Sequence, residues 1–315
     1  MIRFKSILAL TLGIMACQLA LGQQEGMYSQ YVYNKQFYNP GYTGFRESMN
    51  FTAQHRSQWI GFKGAPMTQV ITMDTPLQLD ELAIGGSLMH DKIGPTSELQ
   101  ASVDFAYRLR LTNRTTISFG AKGTFGMYQS NLSSVDLTSD YYEIVDEFFM
   151  YNQKGVMLPN VGFGAFYYGK NFYLGLSCPK ILRNKLVEQG SELFNILDGR
   201  TQPTIYLHGG RTFKLNHQLK FQPNIMIKGT VNAPLSAGVY MSLIYMDQLQ
   251  GGVFYNFNEI AGGVFQWQMD RNWRIGYSLD IATSALVRTN YGSHELMVNY
   301  TMSNKRKRIV YPRYF

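Results

Sequence analysis

Charge is scarce in this chain. Asp, Glu, Lys and Arg make up 16% of its 315 residues, against about 25% in ordinary soluble domains. Long apolar runs are missing too. Beyond residue 22 no stretch reaches the 18 or so consecutive apolar residues of a spanning helix, and mean hydropathy is −0.18, so a helical membrane bundle is excluded. Cysteine is nearly absent. Cys17 lies in the N-terminal apolar stretch, which leaves Cys178 alone in the body of the chain and excludes a small disulfide scaffold. Histidine is sparse: His55, His90, His208, His217 and His294 show no HxxxH or HExxH spacing. There is no GxSxG elbow and no GxxxxGK[ST] loop. No catalytic residue, metal ligand set or cofactor is therefore expected. Asp140, Glu143, Asp146 and Glu147 offer carboxylates to a divalent cation, but as one acidic run they read as a solvated loop.

What is abundant is aromatic. The chain holds 22 Tyr, 20 Phe and 3 Trp, far too many for a disordered polypeptide. Residues 1–22 read as a secretory signal, with Arg3 and Lys5 in the n-region, Ile7 to Met15 as the apolar segment, and Ala20-Leu21-Gly22 at the cleavage site. The rival is a lipoprotein signal ending at Cys17. Met15 is a poor residue two positions before that cysteine, and apolar residues continue past it.

The remaining hydrophobicity alternates at period 2, the mark of strands with one apolar face. In residues 99–111 Leu99, Ala101, Val103, Phe105, Tyr107, Leu109 and Leu111 share one face, while Gln100, Ser102, Asp104, Arg108 and Arg110 share the other. Residues 273–282 set Trp273, Ile275, Tyr277, Leu279 and Ile281 against Arg274, Gly276, Ser278 and Asp280. Residues 115–128 and 219–228 repeat the pattern, with Lys122, Lys220 and Lys228 on the polar face. Fourteen strands are expected, near 48–57, 66–76, 82–90, 98–111, 114–128, 158–169, 171–179, 204–214, 218–229, 235–246, 249–257, 260–270, 272–283 and 293–303. Pro223 sits awkwardly inside the ninth.

Connection lengths say where such a sheet belongs. Every second connection is short (77–81, 112–113, 170, 215–217, 247–248, 271), while the others include 58–65, 129–157, 180–203 and 284–292. A soluble β-sandwich has no reason to sort loops by parity. An outer-membrane barrel does, because its periplasmic turns are short and its outside loops long. The expected fold is thus all-β, a transmembrane outer-membrane β-barrel of about 14 antiparallel strands, with closure removing the edges that lipid cannot satisfy. Arg56, Arg108, Lys122, Lys220, Lys228, Arg274 and Asp280 are the candidate lumen-lining residues. In a passive porin, the alternative reading, such cations would make the lumen anion-preferring. An outer-membrane protease or phospholipase would need a histidine to match Ser278 and Asp280, and none stands at a corresponding place. Gly85-Gly86 and Gly162-Phe-Gly164 read as places where the wall bends or packs closely.

The net charge of +8 is localised. Two of the eight charges fall on Arg3 and Lys5, and five more on Lys305, Arg306, Lys307, Arg308 and Arg313 of the tail 304–315. The rest is nearly neutral, so no nucleic-acid partner is expected. A basic tail with Tyr311, Tyr314 and Phe315 suits an acidic protein face or lipid headgroups. Four segments follow: signal peptide 1–22, N-terminal periplasmic or plug segment 23–46, barrel 47–303, and basic periplasmic tail 304–315. With an even strand number both termini are expected in the periplasm. The N-terminal segment, MYSQYVYNKQFYNPGYTGFR at 27–46, has five tyrosines, no acidic residue, and turns at Asn39-Pro40-Gly41 and Thr43-Gly44. It is suited either to plug the lumen or to dock on a periplasmic neighbour. Partner contact is expected from Tyr28, Tyr31, Tyr33, Asn39, Pro40 and Tyr42, and from Lys305, Arg306, Lys307, Arg308 and Phe315. Trp59 and Phe62 are expected to be exposed on a Gly-rich loop.

Four of these stretches carry a resemblance. SQYVYNKQFYNPGYTG (29–44), RSQWIGFKGAP (56–66) with TQVITMDTPL (68–77), HDKIGPTSE (90–98) and the closing PRYF (312–315) resemble the PorP/SprF family of the Bacteroidota type IX secretion system, and most of all the PorP kind. The resemblance runs from about residue 27 to the end. It implies a non-enzymatic outer-membrane barrel that associates with a periplasmic ring lipoprotein and its partner, with a peptidoglycan-binding protein and with outer-membrane lipid. It also implies a part in cargo export or in delivery of a gliding adhesin. The family's motifs are marks of fold, and no active site is carried over.

Overall fold

The computed structural model describes residues 28–79, 81–134, 138–139, 142–143, 152–185, 200–257, 259–283 and 290–302. Fourteen strands form the wall: β1 (Met49–Ser57), β2 (Met67–Pro76), β3 (Leu82–Ile93), β4 (Thr96–Arg110), β5 (Thr115–Asn131), β6 (Asn152–Gly169), β7 (Phe172–Cys178), β8 (Thr204–Arg211), β9 (Leu219–Thr230), β10 (Ser236–Tyr245), β11 (Leu249–Asn256), β12 (Ile260–Gln268), β13 (Trp273–Ala282) and β14 (Ser293–Met302). Each pairs antiparallel with its sequence neighbours, and β1 pairs with β14 from Met49↔Met302 to Ser57↔His294, which closes the barrel. Closure gives every wall strand two partners, as lipid demands.

The alternation seen in the sequence is the inside and outside of this wall. On β4, Leu99, Val103, Phe105, Tyr107 and Leu109 point outward, while Gln100, Asp104 and Arg108 are buried within. Trp273, Ile275, Tyr277, Leu279 and Ile281 on β13 likewise face out, opposite buried Ser278 and Asp280. Among the described residues no helix is long and apolar enough to cross a membrane; the strands do the crossing.

Pro223 is accommodated where the ladder skips. The β8–β9 register ends at Gly210↔Asn224 and resumes unchanged at Phe213↔Phe221, so the missing N–H of Pro223 falls in the gap, while Pro223 stays opposite Met241 on its other side. The connection left between the expected strands 82–90 and 98–111 is shorter in the structure. β3 continues to Ile93 and β4 starts at Thr96, leaving Gly94-Pro95 as the turn. β6 begins at Asn152, six residues before the expected 158, because β5 and β6 go on pairing past a bulge at Tyr128/Ser130. The turns at the other end are tight. Met246 and Asp247 both take positive φ, as a two-residue primed hairpin turn requires. In the β12–β13 turn Asp270 accepts from the N–H groups of Asn272 (2.8 Å) and Trp273 (2.7 Å), which holds its carboxyl below the usual carboxylate range.

Candidate functional site: a segment built into the lumen

Residues 28–48 do not hang below the barrel. They run through it as a coil that contains one turn of helix, α1 (Lys35–Tyr38), and a 3₁₀ turn over Pro40–Tyr42. Nearly all of the segment is buried, with Tyr28, Tyr31, Tyr33, Tyr38, Tyr42 and Phe45 each at most 8% exposed.

Its grip on the wall has three parts. The first is a charge cluster at the long-loop ends of β1, β13 and β14. Arg56 reaches both oxygens of Asp280 (2.7 and 3.1 Å) and Glu295 (3.3 Å). Ser29 completes the cluster: its hydroxyl donates to Asp280 (2.6 Å) and its backbone N–H to Glu295 (2.8 Å), while its Oγ accepts from Arg56 (2.8 Å).

The second part lies at mid-wall. Lys122 pairs with Asp104 (3.5 Å) and donates to the carbonyls of Phe37 (2.9 Å) and Gln36 (3.3 Å), so the wall cation terminates α1. Gln36 answers by donating to Asp104 (3.1 Å) and to the Met73 carbonyl (2.9 Å).

The third part is the two turns. Asn39 Oδ1 caps the Gly41 N–H (2.8 Å), and its Nδ2 donates to the Ala165 carbonyl (3.1 Å) beside His208 Nε2 (3.2 Å). Gly44 is clamped from both sides, with Asp74 taking its N–H (2.8 Å) and Arg108 donating to its carbonyl (2.9 Å). Gly44 has φ +73°, and a Cβ there would run into the Cβ of Ala83, so glycine is required on two counts.

Aromatic packing fills the space between these anchors. Phe45 stacks on Tyr42 (5.0 Å) and meets Tyr168 edge-on (4.8 Å), and Tyr38 lies against Tyr206 (5.2 Å). Tyr33 is held between two guanidinium groups, Arg274 at 4.3 Å and Arg46 at 4.7 Å. Lys35 is fully buried, donates to the Val32 carbonyl and lies 4.7 Å over the ring of Tyr173.

Inward glycines on the wall give the segment room. A methyl group on Gly120 would strike the Pro40 and Gly41 backbone; on Gly164, the Asn39 side chain; on Gly85, the Gln36 amide; on Gly276, the Gln30 amide. Gly162 has a different neighbour, Pro179, from the chain leaving β7.

The seven side chains assigned to the lumen from sequence all stand on its inner face. Arg56, Arg108, Lys122 and Arg274 grip the N-terminal segment, Lys228 is buried, and Lys220 pairs with Asp247 of a hairpin turn. Tyr28, Tyr31, Tyr33, Asn39, Pro40 and Tyr42, expected at a partner surface, are turned to the barrel's own interior instead. The physical reason is that the inner wall supplies matching aromatics, carboxylates and glycine sockets for them. Lys305, Arg306, Lys307, Arg308 and Phe315 lie outside the described residues, as do residues 1–22 and Asp140, Asp146 and Glu147. Phe62 is 54% exposed as expected, whereas Trp59 is half-buried with φ +49°. Asp74, Asp104, Glu295 and His208 were not among the lumen candidates. Their signal was their place on inward positions of the alternation.

A closed antiparallel barrel of this strand number, apolar outside and polar within, defines the class: an outer-membrane β-barrel protein. The family described as type IX secretion system membrane protein PorP/SprF matches residues 20–300, and the chain belongs to that family. It is a membrane component of type IX secretion. No curated protein matches it. Among solved structures it is similar to the outer membrane protein Omp33 of Acinetobacter baumannii (TM-score 0.48, 9% identity, covering 82% of this chain and 100% of that one). It is also similar to a Pseudomonas aeruginosa FadL homologue (TM-score 0.44, 12% identity, covering 90% and 96%).

Proposed function

We propose that this protein is a non-enzymatic outer-membrane anchor of type IX secretion, tying the periplasmic ring complex to the outer membrane rather than conducting solutes. One observation supports this reading beyond family membership: four of the inward cations that would line a pore, Arg56, Arg108, Lys122 and Arg274, are engaged with residues 28–48 or with wall carboxylates. Residues 1–22 serve as a cleaved export signal. The ring lipoprotein, its partner and a peptidoglycan-binding protein are the partners we assign. The contact surface we assign to them is the basic tail, Lys305 to Arg308 with Phe315, held in the periplasm. The six N-terminal residues Tyr28 to Tyr42 act from inside, by fixing the lumen.

A strain lacking this chain should accumulate normally secreted or surface-exposed proteins in its periplasm, and a chain truncated after Ser303 should insert but lose ring proteins on co-purification. Normal export with reduced uptake of small solutes would overturn the anchor in favour of a porin. Full ring recovery with the truncated chain would remove the tail from the proposal. Export of soluble cargo and surface delivery of a gliding adhesin, measured in parallel, separate the two branches of function.

A further inference from the structure

The outer wall carries a feature that the lumen and the tail leave unexplained. Below the long-loop rim of β2–β5 the lipid-facing surface sinks into an apolar groove of about 600 Å³. Its floor is Gly86, Ala101 and Gly123, and its sides are Ile71, Leu88 and Phe125. Those side residues are about half exposed, so they stand up from the wall while the floor lies at backbone level. The strand register fixes what lies above. Ile71 pairs with Leu88, the next outward pair is Gln69 with His90, and the next is Met67 with Lys92. Groove, polar row and lysine therefore succeed one another up one pair of strands. From Gly86 to Lys92 is six residues, about 20 Å. On a strand tilted by about 40° that is a rise of about 15 Å, half of a hydrocarbon core about 30 Å thick, which carries Lys92 toward headgroup depth.

The rim has a second cation. The Gly94 N–H donates to the Gly64 carbonyl (2.9 Å), which draws the 58–66 loop and its exposed Lys63 to the tip of the β3–β4 hairpin. The acids nearest in sequence turn inward: Asp91 accepts from Thr68 (2.5 Å) and Glu98 accepts from Gln100. Ile93 (49% exposed) and Phe62 (54% exposed), the chain neighbours of the two lysines, add apolar surface at this rim. An apolar channel capped by two lysines and a histidine, on a surface facing hydrocarbon, is complementary to an anionic amphiphile.

We propose that this face binds a phosphorylated glycolipid of the outer leaflet, one acyl chain lying in the Gly86–Gly123 groove and its phosphates against Lys63, Lys92 and His90. The outer leaflet is assigned because the cations sit at the long-loop end of the barrel, the exterior end in outer-membrane proteins. Cations on a loop and on the neighbouring strand suit a headgroup with more than one phosphate.

The test uses the full chain, purified in mild detergent, stripped of lipid and offered lipid A or phosphatidylglycerol, with bound lipid read by native mass spectrometry. Wild type should retain about one lipid A per barrel and little phosphatidylglycerol. The charge-reversed double variant Lys63→Glu/Lys92→Glu should retain at least tenfold less. Gly123→Leu should do the same from the other end of the ligand; its Cβ has nothing within 4 Å, so the side chain fills the groove without straining the wall. Both variants should keep the heat-modifiable gel migration of a folded barrel. Equal retention of the two lipids by wild type, or undiminished lipid A in both variants, would overturn the proposal. So would a wild-type barrel that covers this face with a second copy and carries no lipid.

Discussion

Adding one methyl group to Gly120 tests whether the N-terminal segment is seated as a rigid body. A Cβ on this residue falls on the carbonyl carbon of Pro40 and the nitrogen of Gly41, more than about 1 Å inside the 3.5–4.0 Å at which non-bonded atoms attract. Both obstacles are backbone, so no rotamer change relieves them. Either the wall bulges or the 39–41 turn lifts. Overpacking of this kind costs about 1–3 kcal/mol. A lifted turn also stretches the Asn39 contacts to Gly41, Ala165 and His208, at about 1 kcal/mol for each hydrogen bond lost. Against this, alanine gains about 0.4–1 kcal/mol over glycine through the unfolded chain. Gly120→Ala should therefore lower the midpoint of heat-modifiable gel migration by several degrees and produce channel openings in planar bilayers. Gly123→Ala is the control. It lies on the same strand but faces lipid with open space around its Cβ, and should be neutral or slightly stabilising. If Gly120→Ala is as heat-stable and as electrically silent as wild type, residues 39–41 are not seated on β5 and the account of the lumen fails.

The other anchors make similar forecasts. Arg56→Ala leaves Asp280 and Glu295 buried without their cation and should cost about 3–5 kcal/mol, read as earlier heat-modifiable unfolding, with Asp280→Asn/Glu295→Gln added to it restoring part of the loss; no loss in the single variant would refute the charge cluster. Gly44→Ala combines a left-handed φ with a collision at Ala83. Adding Ala83→Gly should relieve the collision but leave about 1–2 kcal/mol of backbone strain, and complete rescue by that pair would show that the φ is not enforced. Asn39→Ala should destabilise by about 1–3 kcal/mol through the unpaired Gly41 N–H and Ala165 carbonyl, with Asn39→Asp intermediate because it keeps the acceptor that caps Gly41.

The wall was legible in the sequence because period-2 alternation and the parity of loop lengths both follow from local physics: one face meets lipid, and turns differ from loops in length. Strand borders for β1, β2, β7 and β9 to β14 fall within a residue or two of the expected ones for that reason. The interior was only half legible. Inward cations could be assigned by counting along each strand, yet Ser29 meeting Asp280 across 251 residues of chain is a product of closure that no local pattern encodes. The N-terminal segment shows the limit most plainly. Its tyrosines and its Asn39-Pro40-Gly41 turn mark it as irregular, but aromatics without acidic residues suit a protein interface and a barrel interior equally. What decides between them is distributed over Gly85, Gly120, Gly164 and Gly276, four glycines on four strands whose common purpose appears only when the sheet is rolled up. The stretch NPGYTG, which carries much of the family resemblance, is the part that the Gly85, Gly120 and Gly164 sockets and the Asp74–Arg108 clamp hold.

How tightly the segment is held follows from what lies behind it. The wall groups it engages, Arg56, Asp104, Lys122, Asp280 and Glu295, are charged, and would meet water rather than lipid if the segment were gone. Ion pairs of this kind come close to balancing their desolvation cost, so most of the net binding should come from the aromatic clusters around Tyr38 and Phe45. An emptied barrel would keep its full strand ladder and a hydrated polar lumen, an arrangement that outer-membrane barrels tolerate. Deleting residues 28–46 should therefore give a chain that inserts, migrates as a folded barrel with a lowered midpoint, and conducts steadily in planar bilayers, where wild type should be silent. Its conductance should prefer anions, because among the buried inward side chains of the wall Arg56, Arg108, Lys122, Lys220 and Lys228 outnumber Asp74, Asp104, Asp280 and Glu295. A deleted chain that cannot fold would mean that the segment is part of the barrel's core. A deleted chain that folds but does not conduct would mean that something other than residues 28–46 closes the lumen.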